Sequence, residues 1–136
     1  MIKKNYLRIP MLAATMIAGI TTVSAQQLAF PEAAGWGRYA KGARASSSPT
    51  VYHVTNLNDS GAGSLRDAVS QSNRIVVFDV SGVINIKSRM LFSSNLYIAG
   101  QTAPGEGITV YGNGVSFSGA NNIICRYLRV RMGRNG

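Results

Sequence analysis

The chain has 136 residues, 14 of them Lys or Arg and 5 Asp or Glu, for a net charge of +9. Its single cysteine, Cys125, and single histidine, His53, exclude an internal disulfide framework and any Cys/His metal-ligand spacing. Most of the basic excess is arginine, whose planar fork grips carboxylates and phosphates, so nucleic acid, a membrane surface and an acidic polysaccharide all stand as partner classes.

Met1–Arg8 carries Lys3, Lys4 and Arg8 without an acid, Ile9–Val23 is mostly apolar, and Val23-Ser24-Ala25 supplies small residues. This is the pattern of a signal peptide over residues 1–25, cut after Ala25. The apolar stretch is short for a membrane span and is broken by Pro10 and Gly19. Cleaved export is therefore the reading, with no membrane association afterwards, and export favours an acidic polysaccharide over nucleic acid. Residues 26–50 read as an irregular N-terminal segment. Leu28–Tyr39 is aromatic and glycine-rich, a packed irregular stretch, and Lys41–Thr50 is small, polar and basic, a surface loop.

From Val51 the sequence turns strand-like. The run VTNLNDSGAGSLRDAV (54–69) holds a strand end, a polar turn and one short helix. Ser64 stands at the N-cap, with Asp67 three residues on as the acidic variant of a capping box. Leu65, Ala68 and Val69 give the helix one apolar face, and Gly61 and Gly63 free the backbone of the turn that enters it. Such a helix suits a lid on the end of a sheet stack. Short β-rich runs surround it: Val51–Val54, Arg74–Val80, Val83–Ile86, Leu96–Ala99, Ile108–Tyr111, Val115–Phe117 and Ile123–Met132, each bounded by Gly, Asn or Ser. A sandwich, a barrel and a solenoid all fit this texture. Asn73, Asn95 and Asn122, each before an apolar run, favour the solenoid, in which a buried asparagine ladder satisfies turn amides.

Among residues with chemistry, Cys125 lies in an apolar run and reads as a small buried hydrophobe, and His53 as a strand residue rather than a base. Asp79 reads as a solvent-facing strand residue. In Leu128-Arg129-Val130-Arg131-Met132, the period of two sends Leu128, Val130 and Met132 inward and both arginines outward, about 7 Å apart. Arg129 and Arg131 are thus the candidate substrate-binding residues, able to meet successive carboxylates; the alternative is that they only solubilise a sheet face. Arg126 and Arg134 extend the basic stretch.

Ala29-Phe30-Pro31, Gly35-Trp36-Gly37-Arg38-Tyr39, VYHVTNLNDSGAGSLRDAV, VVFDVSGVI, LYIAGQTAPGEGITVYG and RYLRVRMG together resemble the N-terminal portion of bacterial secreted pectate lyases of the polysaccharide lyase family 1 type. The NDSGAGSLRDAV piece is shared by many secreted β-helix proteins; GQTAPGEG is closer to the lyases. Glu32 and Ala34 stand exchanged relative to the usual Gly and Glu, and the Ala43–Ser48 loop is unusually serine-rich. The resemblance implies an all-β fold: a right-handed parallel β-helix in which residues 51–136 form an N-terminal cap with one short helix plus roughly three coils.

It also implies cleavage of polygalacturonate by calcium-dependent β-elimination, with calcium acidifying the C5 proton beside a bridged carboxylate and an arginine as base. In the family the calcium acids begin just after the segment matching RYLRVRMG, and the arginine lies further on. The five acids here, Glu32, Asp59, Asp67, Asp79 and Glu106, are scattered, so neither a catalytic nor a metal-binding residue is expected in this chain. It reads as the front piece of a lyase that is a monomer at full length. The alternative is a non-catalytic β-helix adhesin or carbohydrate-binding module.

Overall fold

The computed structural model describes residues 26–133; the signal peptide expected over residues 1–25 and Arg134 lie outside them. Strands β1 (Thr50–Val54), β2 (Arg74–Phe78), β3 (Gly82–Asn85), β4 (Met90–Leu91), β5 (Leu96–Ala99), β6 (Ile108–Tyr111), β7 (Val115–Ser116), β8 (Ile123–Arg126) and β9 (Leu128–Arg131) are joined by parallel pairing alone. They form three sheets, ordered β1-β2-β5-β8, β3-β6-β9 and β4-β7. Successive strands visit successive sheets and then return to pair one rung further along, which is a parallel β-helix. Two full coils and the first two strands of a third follow β1.

The interior of the coil is the core. Val76 and Ile98 stack along one wall and Ile84 and Val110 along another, all with no exposed surface; Met90, Leu96 and Ile108 complete the packing. Each such burial contributes about 1.5–3 kcal/mol. Outward positions alternate with these, as the two-residue period requires.

The predicted asparagine ladder is present, with a different bonding role. Asn95 Nδ2 donates to Asn73 Oδ1 at 2.8 Å, and Asn122 Nδ2 donates to Asn95 Oδ1 at 3.3 Å. All three have left-handed backbone, φ 65°, 57° and 54°. The side chains thus bond one another rather than turn amides, and they are partly exposed rather than buried. Asparagine tolerates this φ better than other non-glycine residues, and its amide both donates and accepts along the stack.

Helix α1 (Leu65–Ser70) closes the end of the stack, with Leu65, Ala68 and Val69 fully buried. Ser64 Oγ accepts from the Asp67 amide at 3.2 Å, as an N-cap should. Asp67 does not return a bond to Ser64; its carboxylate accepts the Tyr52 hydroxyl from β1 instead. The Tyr52 oxygen in turn accepts from the Gly63 amide at 2.8 Å. At Gly63, φ is +76° and a Cβ would lie 2.3 Å from Thr55 Oγ1, so only glycine fits. The last carbonyls of the helix are met by Ser93, whose amide donates to Val69 O at 2.9 Å and whose hydroxyl donates to Ser70 O at 2.8 Å. Arg66 ties the turn before the helix to the first coil, donating to Asp59 Oδ1 (2.6 Å), Ser88 O (2.9 Å) and Arg89 O (3.1 Å). Burial of Asp59 works to raise its pKa, but the Arg66 hydrogen bond, the Lys87 amide and both positive charges outweigh it and hold the carboxyl below its ordinary value.

Several expectations need correction. The run Ile123–Met132 is not one strand: it breaks at Tyr127 (φ 57°), and its halves join different sheets. Strand β4 carries too few residues for alternation to show. The Lys41–Thr50 loop is not wholly at the surface, because Gly42 and Ala43 are buried in a short 3-10 turn (Gly42–Ala45). A Cβ on Gly42 would meet Ile124 Cδ1 at 2.9 Å, so the missing side chain lets the segment press onto the outer face of β8. Nor is Leu28–Tyr39 packed throughout. Phe30 lies under the Arg126 guanidinium at 4.4 Å, but Trp36 is fully exposed.

Asn95→Ala should lose about 1–2 kcal/mol more in urea unfolding than Asn95→Gly, which keeps the left-handed backbone accessible. Equal losses would show that φ is not the constraint. The Asp67 hydrogen bond, followed by burial, raises the Tyr52 pKa against the opposing pull of the Gly63 amide. Raised in the fold, this group stabilises fully below about pH 10 and loses that contribution as pH rises through the folded pKa. Tyr52→Phe should therefore be less stable than the parent at pH 7, with the gap narrowing above pH 10 in thermal melts.

Candidate substrate-binding face

The outer face of the β3-β6-β9 sheet presents two rows running across the rungs. Val83, Thr109 and Arg129 stand in register in one, and Asn85, Tyr111 and Arg131 in the other. Both arginines are exposed and side by side on one strand face, where the alternation of LRVRM places them. The expected inward residues Leu128 and Val130 do continue the Ile108 and Val110 ladders. Val130 is nonetheless 41% exposed, and Met132 just beyond it 63%, because no further rung lies against them among the described residues.

The two arginines differ in freedom. Arg129 Nε donates to Thr109 Oγ1 at 3.0 Å, and its Nη2 donates to the Glu106 carbonyl. These bonds hold the guanidinium flat against the face and leave three of its five N–H groups for another partner. Arg131 makes no hydrogen bond or ion pair with the described residues, and no acid pairs with Arg129. A hollow of about 350 Å³ is lined by Asn85, Lys87, Asn113 and Tyr111, the register partner of Arg131. Two neighbouring arginines beside the half-exposed Tyr111 ring offer an anionic, ring-shaped ligand both charge and an apolar flat surface.

The loop of residues 100–107, GQTAPGEG, fixes the upper edge of this face. It is the corner between β5 and β6, and it begins with a short 3-10 turn (Gly100–Thr102). Thr102 Oγ1 accepts from the Phe78 amide and donates to Ala99 O, both at 2.8 Å, so one hydroxyl satisfies the strand amide that lies beyond the paired registers of β2 and β5. A Cβ on Gly100 would lie 2.5 Å from the carbonyl oxygens of Arg126 and Tyr127, so the loop and the β8–β9 corner pack backbone to backbone. The far end of the same loop carries Glu106, whose carbonyl accepts from Arg129.

Other candidates fall elsewhere. Arg126 does not extend the row: it lies on β8 in another sheet, its guanidinium over the Phe30 and Tyr127 rings. Cys125 is not a buried hydrophobe. It lies in register with Ile98 and is open to solvent on one side, while the atoms crowding it from the other push its thiol up to about 11, so it stays protonated at neutral pH. His53 is a strand residue, as expected; Asp79 faces solvent but lies just past the end of β2, not in the strand, and sequence reasoning missed that the two pair, Nδ1 lying 3.0 Å from both carboxylate oxygens. Only the β1–β2 register puts them on adjacent rungs, and no local pattern carries that signal. Among the described residues no three His, Cys, Asp or Glu side chains converge to hold a metal ion. The acids present do not fit a calcium site, which needs six to eight oxygens. No described helix is long and apolar enough to cross a membrane.

No protein-family profile matches the chain. Individual proteins do. It is 63% identical over 109 residues to a protein named "Probable pectate lyase C" from Emericella nidulans, 61% identical to that of Aspergillus flavus and 60% identical to that of Aspergillus terreus. The match takes in 80% of this chain and 25% of each relative, so the chain spans about a quarter of the length of the curated relatives it matches. These relatives are fungal, where the sequence motifs suggest bacterial ones. Their names agree with the parallel β-helix seen here.

Gly100→Ala should destabilise the chain by about 1–3 kcal/mol, since backbone rather than a flexible side chain blocks the new methyl. An unchanged urea midpoint would show that the corner has room to move.

Proposed function

We propose that this chain is the N-terminal part of a secreted pectate lyase and that the face bearing Arg129 and Arg131 binds polygalacturonate. The identity of 60–63% over 109 residues to proteins bearing the pectate lyase name carries the reading. Two arginines at alternate positions of one open strand face, neither paired with an acid among the described residues, supply its physical basis. Galacturonate residues repeat a carboxylate along a stiff chain, and arginines on alternate strand positions repeat a bidentate donor.

In this reading residues 1–25 are the export signal, 26–50 an arm laid on the outside of the coil, and 51–136 the cap and first coils. The β-elimination belongs to the complete enzyme, as does the calcium that would acidify the C5 proton. Within this chain the residues bind and align: Arg129 is held in place by Thr109 and Glu106, and Arg131 is free to close on a carboxylate. A non-catalytic adhesin is the weaker reading, since the relatives bear the lyase name.

The test is titration of the chain with trigalacturonate at low salt, followed by NMR or calorimetry. Binding should weaken at least about tenfold in Arg129→Ala or Arg131→Ala, the scale of one charge-assisted hydrogen bond, and should fall as salt is added. Unchanged binding in both variants, or equal binding of a neutral oligosaccharide, would remove this face from the reading. A longer protein containing the chain should release unsaturated products from polygalacturonate.

A further inference from the structure

We propose that Asn113 is a site of self-modification, its side-chain amide passing through a cyclic imide with Gly114 to aspartate and isoaspartate. The two residues are the only Asn-Gly pair among the described residues, at the corner between β6 and β7. The Gly114 amide points at Asn113 Oδ1, 2.8 Å away. One C=O bond of about 1.23 Å separates that oxygen from Cγ, so the nitrogen stands near attack distance, about 3–3.5 Å, from the carbon it would join. Gly114 has no side chain to obstruct the approach, and its carbonyl accepts from the Met90 amide at 3.0 Å, which ties the following peptide to the rung below. Asn113 Nδ2, the leaving nitrogen, is 3.5 Å from Lys87 O. The ladder asparagines Asn73, Asn95 and Asn122 bond one another side chain to side chain, and the residues that follow them are Arg74, Leu96 and Ile123, not glycine.

The chemistry needs only water. Hydroxide removes the Gly114 amide proton, and the nitrogen attacks Asn113 Cγ. The N–Cγ bond forms as Cγ–Nδ2 breaks, and ammonia leaves with a proton taken from water. Water then opens the ring at either carbonyl, giving aspartate or isoaspartate. One water is consumed, one ammonia is released, and nothing is oxidised or reduced. The product places a negative charge in the hollow shared by Lys87 and Tyr111, beside the Arg131 row. On the polygalacturonate reading above, and resting on it, that charge would repel a uronate and lower affinity as the protein ages.

The folded chain, held at mildly alkaline pH and then digested with trypsin, tests this. The peptide Met90–Arg126 carries Asn95, Asn113, Asn121 and Asn122 together, so each is an internal control for the others. Fragment masses should show the acid at 113 first, with isoaspartate exceeding aspartate, and Gly114→Ala should slow conversion severalfold. That methyl would meet only the Met132 side chain, Sδ at 3.5 Å and Cγ at 4.0 Å, both ordinary contacts, so the variant should fold. Conversion at Asn113 no faster than at Asn95, or unaffected by Gly114→Ala, would overturn the proposal. Because the mass readout involves no oligosaccharide, it is independent of the binding reading; trigalacturonate affinity of the converted protein tests the consequence separately.

Discussion

Each coil enters the four-stranded sheet through an asparagine whose backbone is left-handed, and the rest of the structure depends on that turn being made at the same place on every rung. The turn decides which face of the following strand points inward. A slip of one residue would send Val76, Ile98 and their neighbours to solvent and bring polar partners into the coil. The side-chain bonds from Asn122 to Asn95 and from Asn95 to Asn73 join these turns directly. The spacing between rungs changes from 22 to 27 residues while the ladder stays intact, so the extra residues of the second coil are accommodated in its corners, not in the strands.

At the other extreme, the end of the stack is secured by polar groups as much as by the apolar underside of α1. A six-residue helix is far too short to hold itself together in water. Its shape is supplied from outside. Tyr52 and Ser64 organise its first turn, Arg74 lies over the Tyr52 ring and reaches the carbonyls of Asp67 and Ala68, and Ser93 covers its last turn. These partners come from β1, β2 and the first coil, so the cap and the first rungs form one cooperative unit rather than a lid on a finished stack.

The parts legible in the sequence are those whose signal is local. The N-cap at Ser64, the apolar face of α1, the alternation in Arg129 and Arg131 and the recurrence of asparagine each depend on residues a few positions apart. What escaped notice depends on register. His53 and Asp79 meet only because β1 and β2 align, and Cys125 is open to solvent because of its rung, although its neighbours are apolar. The break at Tyr127 was hidden because β8 and β9 are both β-rich, and a left-handed tyrosine carries none of the usual punctuation of glycine or proline. The alternation shows Arg129 as an outward cation but not its tether to Glu106 O, a contact between residues 23 positions apart.

The corner joining the first sheet to the second takes three residues in one coil (79–81), eight in the next (100–107) and one, Tyr127, in the third. The strands on either side keep their partners throughout. Length at this corner is therefore nearly decoupled from the folding of the coil, while everything added there stands at the border of the cationic face. A protein built this way can reshape the rim of its binding surface by insertion and deletion, leaving the scaffold and the positions of the gripping arginines unaltered.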